Sequence, residues 1–414
     1  MNRPLPVLTA VALVALASLL GACPKAPVSE QSLQTSHEDS RETQHAETTG
    51  SDFEAELKRI CRNAGQDYFI LERPAYDGVE VMKIAVLYKK TSLSNGAPLM
   101  PPVGVIPGFT AGGFLYLEYT RSLVDAGYVV FLPDIKGDYL HFIGLEPFVD
   151  PFVDPNFSAF RDNATELEGL LLDYTGDGLI GPKEVYTYYK ALYNGEVDDQ
   201  ALADLYRQTL FAYRGYSLDL VVKAMFEVNE DPAYPVYGRI NTDRIGLEAH
   251  SLGPDEVIES VVRRDGEFAY SWSDHIAVAL LKGAVPTLQR TENFERIDTP
   301  VIFMNGEYDD PTGVIAATWQ RFNVMHAPSA YIIFHDSGHV FFIDPPIGFL
   351  GDKLLPFFGN FEGIQLVTYC RNRADMIALC LLVYDAYLKQ DSGALKAIET
   401  GDARLTGEYY TRNM

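Results

Sequence analysis

Cysteine, positive charge and long apolar runs are all scarce in this chain of 414 residues. Four cysteines are too few to staple a disulfide-built domain. Only 33 lysines and arginines stand against 57 aspartates and glutamates, a net charge of -24. That balance argues against a protein that grips nucleic-acid phosphates, so no nucleic-acid partner is expected. It also argues against docking on an anionic membrane surface by charge. The apolar run from Leu5 to Leu20 is short for a comfortable membrane span. No repeat of solenoid period is visible. What is present is ordinary: 47% apolar and 22% charged residues, a globular mix that rules out wholesale disorder. The length suits one large domain or two to three small ones.

The N-terminus reads as an address. A basic start at Arg3, the apolar run and small residues at Gly21 and Ala22 form a secretory signal over 1–22. Leu20-Gly-Ala-Cys23 resembles a bacterial lipobox. The resemblance implies cleavage before Cys23, lipidation of Cys23, and a membrane-anchored place in the bacterial cell envelope, on the periplasmic or extracellular side. Pro24–Ser51 is rich in Ser, Thr, Glu and Gln and lacks aromatics, so it cannot bury enough surface to fold. Residues 23–51 are therefore read as a lipidated cysteine with a flexible tether, reaching roughly 30 Å by coil statistics.

From residue 52 to 414 strands and helices alternate. Val79–Lys90, Val103–Pro107, Tyr128–Leu132, Arg244–Ala249, His275–Val285, Val301–Asn305 and Tyr331–His335 are apolar or β-branched runs closed by turn residues, and predict strands. Phe114–Ala126, Ser217–Val228, Pro254–Arg264, Gly313–Met325 and Ile364–Lys389 have helical spacing. The last is read as a long closing helix. The rhythm predicts an α/β domain, a mostly parallel sheet covered by helices on both faces. Tyr139–Gly215 interrupts it and is read as a mainly helical insertion.

Three motifs carry chemistry. The strand at 244–249 runs into Ala249-His250-Ser251-Leu252-Gly253 and then a helix. This resembles the nucleophile elbow G-x-S-x-G with Ala in the first Gly position; alone, Ser251 reads equally well as a helix N-cap. The run Pro300–Asp309 ends Asn-Gly-Glu-Tyr-Asp, and Tyr331–His339 ends Gly338-His339. Both resemble the acid and histidine loops of the α/β-hydrolase family, in that family's chain order Ser, Asp, His. Pro107-Gly-Phe109-Thr-Ala-Gly-Gly113 is similar to its oxyanion loop, with Pro where His is usual. The resemblance covers most of 79–389. It implies Ser251 as nucleophile, His339 as base and Asp309 as its acid partner, with Asp310 the main rival for that role and Asp336 a weaker one. It implies backbone N–H donors at Phe109 and Leu252 for an oxyanion. His250 is expected to pack in the elbow with its side chain away from the serine, and His335 to lie within a strand.

The insertion contains Asp173-Tyr-Thr175-Gly-Asp177-Gly-Leu179-Ile-Gly-Pro-Lys-Glu184, a twelve-residue match to an EF-hand loop. Thr175 stands where Asp or Asn is usual, which should weaken the site. Asp173, Thr175, Asp177, Leu179 (through its carbonyl) and Glu184 are the expected ligands of a structural calcium ion; the alternative is an Asp/Gly turn between helices. Aromatics crowd the insertion and the segment after His339, Phe341 and Phe342 among them, most of them expected to pack. Cys370 and Cys380 on one helix lie roughly 15 Å apart, so any disulfide is expected to include Cys61.

Taken together the residues predict a secreted, lipid-anchored serine hydrolase acting on a small-molecule ester through an acyl-enzyme. No organic cofactor is expected. The alternatives are a peptidase resembling the prolyl-oligopeptidase group, and a catalytically silent calcium-binding surface protein on the same fold.

Overall fold

The computed structural model describes residues 57–61, 65–74, 81–108, 113–134, 215–251, 253–262, 271–283, 291–309, 314–344, 366–401 and 407–413. The leader 1–22, the tether 23–51, the insertion up to 214 with its loop 173–184, and Phe109, Leu252 and Asp310 lie outside the described residues.

The apolar runs form strands β2 (Val81–Lys89), β3 (Pro102–Ile106), β4 (Val129–Asp134), β5 (Ile245–His250), β6 (Ile276–Lys282), β7 (Val301–Gly306) and β8 (Ser329–Phe334), with β1 (Gln66–Pro74) before them and β9 (Gly407–Arg412) after them. The helices are α1 (Leu117–Asp125), α2 (Tyr216–Glu230), α3 (Gly253–Val261), α4 (Val314–Val324), α5 (Leu366–Tyr387) and α6 (Ser392–Thr400). One sheet holds all nine strands in the order β1-β2-β4-β3-β5-β6-β7-β8-β9. From β4 to β8 every neighbouring pair is parallel, while β1, β2 and β9 pair antiparallel at the edges. This is the α/β-hydrolase fold.

Strands buried on both faces have no polar side to show, hence their continuous apolar runs. Successive residues still part to opposite faces. Val278, Leu280, Ile302 and Met304 join the core beneath α1, α5 and α6. Ala279, Leu281, Val301 and Phe303 join the core beneath α2, α3 and α4.

Sequence reading missed β1 and β9, and it placed the chain's closing element one helix and one strand too early. Both missed strands lie at sheet edges, where only part of each face is covered. Gln66–Pro74 and Gly407–Arg412 carry charged residues accordingly; the apolar run of β1, Tyr68–Leu71, is short and bounded by Asp67 and Glu72, and β9 has only its two tyrosines. His335 lies just past β8 rather than within it; the strand stops at Phe334 because the chain turns there toward Gly338. Cys61, the cysteine expected in any disulfide, takes part in none. Cys61 and Cys380 are buried free thiols, and burial pushes the Cys61 thiol up to about 11.

Strand order reverses between β3 and β5: β4 lies on one side of β3, β5 on the other. The carboxyl ends of β3 and β5 therefore part company at a topological switch point, where such sheets bind ligands. Below that crevice, Glu248 of β5 and Lys282 of β6 form a fully buried ion pair at 3.0 Å. The same Glu248 oxygen accepts the hydroxyls of Tyr119 at 2.5 Å and Tyr384 at 2.8 Å. The Lys282 ammonium sits 3.6 Å from the centre of the Tyr119 ring, so each charge is compensated on more than one side.

Removing one partner of such a pair strands the other charge. Lys282→Met is expected to cost about 3–5 kcal/mol in urea unfolding. Glu248→Gln added to it recovers part of that loss, because the neutral amide oxygen still accepts from both tyrosines.

Candidate active site

Ser251 follows the last residue of β5 with a backbone φ of 60°, a left-handed conformation that a non-glycine residue adopts only when its surroundings hold it. Its N–H donates to the Lys282 carbonyl at 2.9 Å, prolonging the β5–β6 ladder into the turn. A Cβ added at Gly253 would come 2.9 Å from the Ala249 Cβ. The two positions flanking the serine therefore face each other with room for a single methyl. That explains why Ala is accepted where the elbow pattern has glycine: Gly253 supplies the space. Gly108, in the loop after β3, approaches as closely. A Cβ there would meet the Ser251 Cβ at 2.9 Å. The loops that contain the two expected oxyanion donors, Phe109 and Leu252, are thus brought together through the neighbours of those residues.

The β7 and β8 loops deliver the other two side chains. After β7, Glu307 N–H donates to the Phe334 carbonyl at 2.8 Å and Tyr308 N–H to the Ser337 carbonyl at 2.9 Å. A Cβ on Gly306 would lie 2.4 Å from the Ser337 carbonyl oxygen, so only glycine permits this contact between the two loops. Asp309 and His339 are both buried and Ser251 is half-buried. His339 Nε2 lies 2.8 Å from Ser251 Oγ, and its Nδ1 lies 2.7 Å from Asp309 Oδ1. The three residues form one hydrogen-bonded line. Asp336 instead has a positive φ and gives its N–H to Glu307. Exposed His335 pairs with that same Glu307 at 3.3 Å.

Several residues that sequence reading did not single out hold this line. Asn305, the penultimate residue of β7, donates from Nδ2 to Asp309 Oδ2 at 3.0 Å, so both oxygens of Asp309 are occupied. A polar residue ending an apolar strand four positions before the acid was the available signal. Asp344, five residues past His339, accepts the Glu118 and Tyr119 N–H groups at the start of α1 at 2.7 and 3.0 Å. It also pairs with Arg373 of α5 at 2.6 Å, and Arg373 donates to the Phe341 carbonyl at 2.8 Å. This clamp fixes the segment after His339 to two helices. No local pattern announces it, because its partners lie far away in sequence. Phe341 and Phe342 are fully buried in the same segment, packed on Phe334 and on each other, as expected for core aromatics.

His250 is packed in the elbow, as expected, and is hydrogen-bonded at both ring nitrogens. Nδ1 lies 2.8 Å from the Tyr116 hydroxyl and Nε2 2.8 Å from the His339 carbonyl oxygen. Complete burial, followed by the neighbouring His339, lowers its pKa well below the usual imidazole value, so the ring is neutral.

No protein-family model matches the chain, and no curated protein matches it in sequence. Among solved structures it is similar to a dienelactone hydrolase from Anabaena variabilis ATCC 29413, with 12% identity over 78% of this chain and 99% of that one and a TM-score of 0.40.

The close contact across the elbow gives a direct test. Gly253→Ala is expected to lower stability by about 1–3 kcal/mol through overpacking. Ala249→Gly in the same chain restores most of the loss, because it removes the methyl that the new one meets; thermal or urea unfolding of the three variants measures this.

Proposed function

We propose that the chain is a lipid-anchored serine hydrolase that cleaves carboxylic esters of modest size. The observation that carries this reading is the buried line Asp309–His339–Ser251, ending on a half-exposed serine at a strained turn. A serine hydroxyl is a weak nucleophile until a base takes its proton. His339 Nε2 accepts that proton as Ser251 Oγ attacks the ester carbonyl, and returns it to the departing alcohol. Asp309 holds the Nδ1–H tautomer and stabilises the imidazolium, and Asn305 keeps the second oxygen of Asp309 from turning away. The backbone N–H groups of Phe109 and Leu252 receive the negative charge of the tetrahedral intermediate. Water then attacks the acyl-enzyme by the same proton route in reverse.

The calcium site and the anchor belong to the same proposal on sequence grounds. Asp173, Asp177 and Glu184 offer carboxylates, Thr175 a hydroxyl and Leu179 a carbonyl, an all-oxygen set suited to calcium. A calcium ion held by these oxygens would brace the loop. The mature chain begins at lipidated Cys23. A lipidated thiol has nothing to give to a disulfide, so a Cys23–Cys370 bridge in the isolated protein overturns the anchor.

Fluorophosphonate labelling of the folded protein tests the activity. Label is expected on the native chain and absent from Ser251→Ala, and Asp309→Asn is expected to lower ester turnover on the order of 10⁴-fold. Faster turnover of amides than of matched esters would favour a peptidase, and a folded chain that takes no label would favour a binding protein. Millimolar calcium is expected to raise the melting temperature and a chelator to lower it, with Glu184→Gln abolishing the difference.

A further inference from the structure

Tyr116, the last residue before α1, links two parts of the site that share no direct bond among the described residues. Its hydroxyl accepts the Gly108 N–H at 3.1 Å and faces His250 Nδ1 at 2.8 Å. His250 Nε2 in turn faces the backbone carbonyl of His339 at 2.8 Å. With the His250 ring neutral, proton counting allows only one arrangement of this line. An N–H can only donate, so the tyrosine oxygen receives from Gly108. The carbonyl can only accept, so the His250 proton is on Nε2. His250 Nδ1 is therefore an acceptor, and the tyrosine proton points at it. Every link is directed, and every group in the line is buried.

We propose that Tyr116 and His250 are positioning residues, which lock the Gly108 backbone just after β3 and the backbone of His339 in register on either side of Ser251. The proposal rests on the reading of Ser251 as nucleophile and His339 as base. Gly108 precedes Phe109, the expected oxyanion donor, and the tyrosine holds the Gly108 N–H. The His339 carbonyl fixes where the base stands. His250, one residue before the nucleophile, joins the two.

The line also requires His250 to be neutral. A second proton on Nδ1 would reverse the tyrosine bond and turn the tyrosine hydroxyl proton away from the ring. It would also place a cation in a ring 5.1 Å from the His339 ring, which must itself become cationic during attack. Burial first, and then the charged groups around His250, keep the ring neutral. His339, Lys282 and Arg373 all disfavour a further positive charge, while the negative charges of Glu248 and Asp309 are committed to Lys282 and His339.

Tyr116→Phe keeps the ring and removes only the hydroxyl. The rate of Ser251 acylation by a fluorophosphonate and by p-nitrophenyl acetate, followed against pH, reads the effect. The variant is expected to fold and to acylate about 10–100-fold more slowly through kcat rather than KM, as for a misplaced catalytic group. Its acid limb is expected at higher pH than the wild type's, because His250 Nδ1 is then open to a proton. A purely structural role predicts lower stability with an unchanged pH profile. Nitrogen NMR of the wild-type imidazoles is expected to give His250 as the neutral Nε2–H tautomer. Acylation within twofold of wild type with the same acid limb overturns this proposal alone, as does an Nδ1–H or doubly protonated His250. A wild-type protein that takes no label overturns the nucleophile reading and this proposal with it.

Discussion

Close backbone approach at the switch point of the sheet is the constraint on which the rest of this structure depends. The chain must bring the ends of β3, β5, β7 and β8 close enough that side chains from separate loops share hydrogen bonds. A Cβ on Gly108, Gly253 or Gly306 would fall within 3.0 Å of a neighbouring atom, closer than packed atoms tolerate. Ser251 itself is held at a φ of 60°. The strain in that turn is balanced by the strand before it, the helix after it and the Lys282 carbonyl that takes its N–H. The elbow exposes one hydroxyl and buries nearly everything around it.

Buried polar side chains then fix the loops that this approach brings together. A loop over a sheet cannot satisfy its backbone by ladder pairing alone, so remote side chains do it. Asp344 and Arg373 fasten the segment after His339 to α1 and α5. Asn305 occupies the outer oxygen of Asp309. Tyr116 and His250 span the two sides of the serine. Each is costly to bury and costly to remove, since removal leaves its partner unsatisfied. The result is a site whose atoms have few alternative positions, which is what preorganised chemistry needs. Glu248 and Lys282 repeat the logic one layer down, on β5 and β6.

What the sequence by itself determined were the features written in local runs. Continuous apolar β-branched stretches marked the seven strands from β2 to β8, because double-sided burial tolerates nothing else there. Helical spacing marked α1 to α5. Strand-end motifs marked Ser251, Asp309 and His339, because tight turns demand small residues at fixed offsets. The proposed calcium loop and leader rest on local runs as well, and both lie outside the described residues. Edge strands β1 and β9 were not legible, because half-covered strands carry charges and keep at most a short apolar run.

Only the tertiary structure decided the supports of the site. Tyr116 meets His250 across 134 positions, Asp344 meets Tyr119 across 225, and Asn372 meets the His335 carbonyl across 37. A hydrogen bond between distant residues leaves no periodicity behind it, and any of many polar residues in the chain satisfies its chemistry. Which one does is settled by where the sheet order puts each strand end. The freedom of Cys61 was decided in the same way: a thiol's partner is set by distance in space, and the sequence counts only distance along the chain.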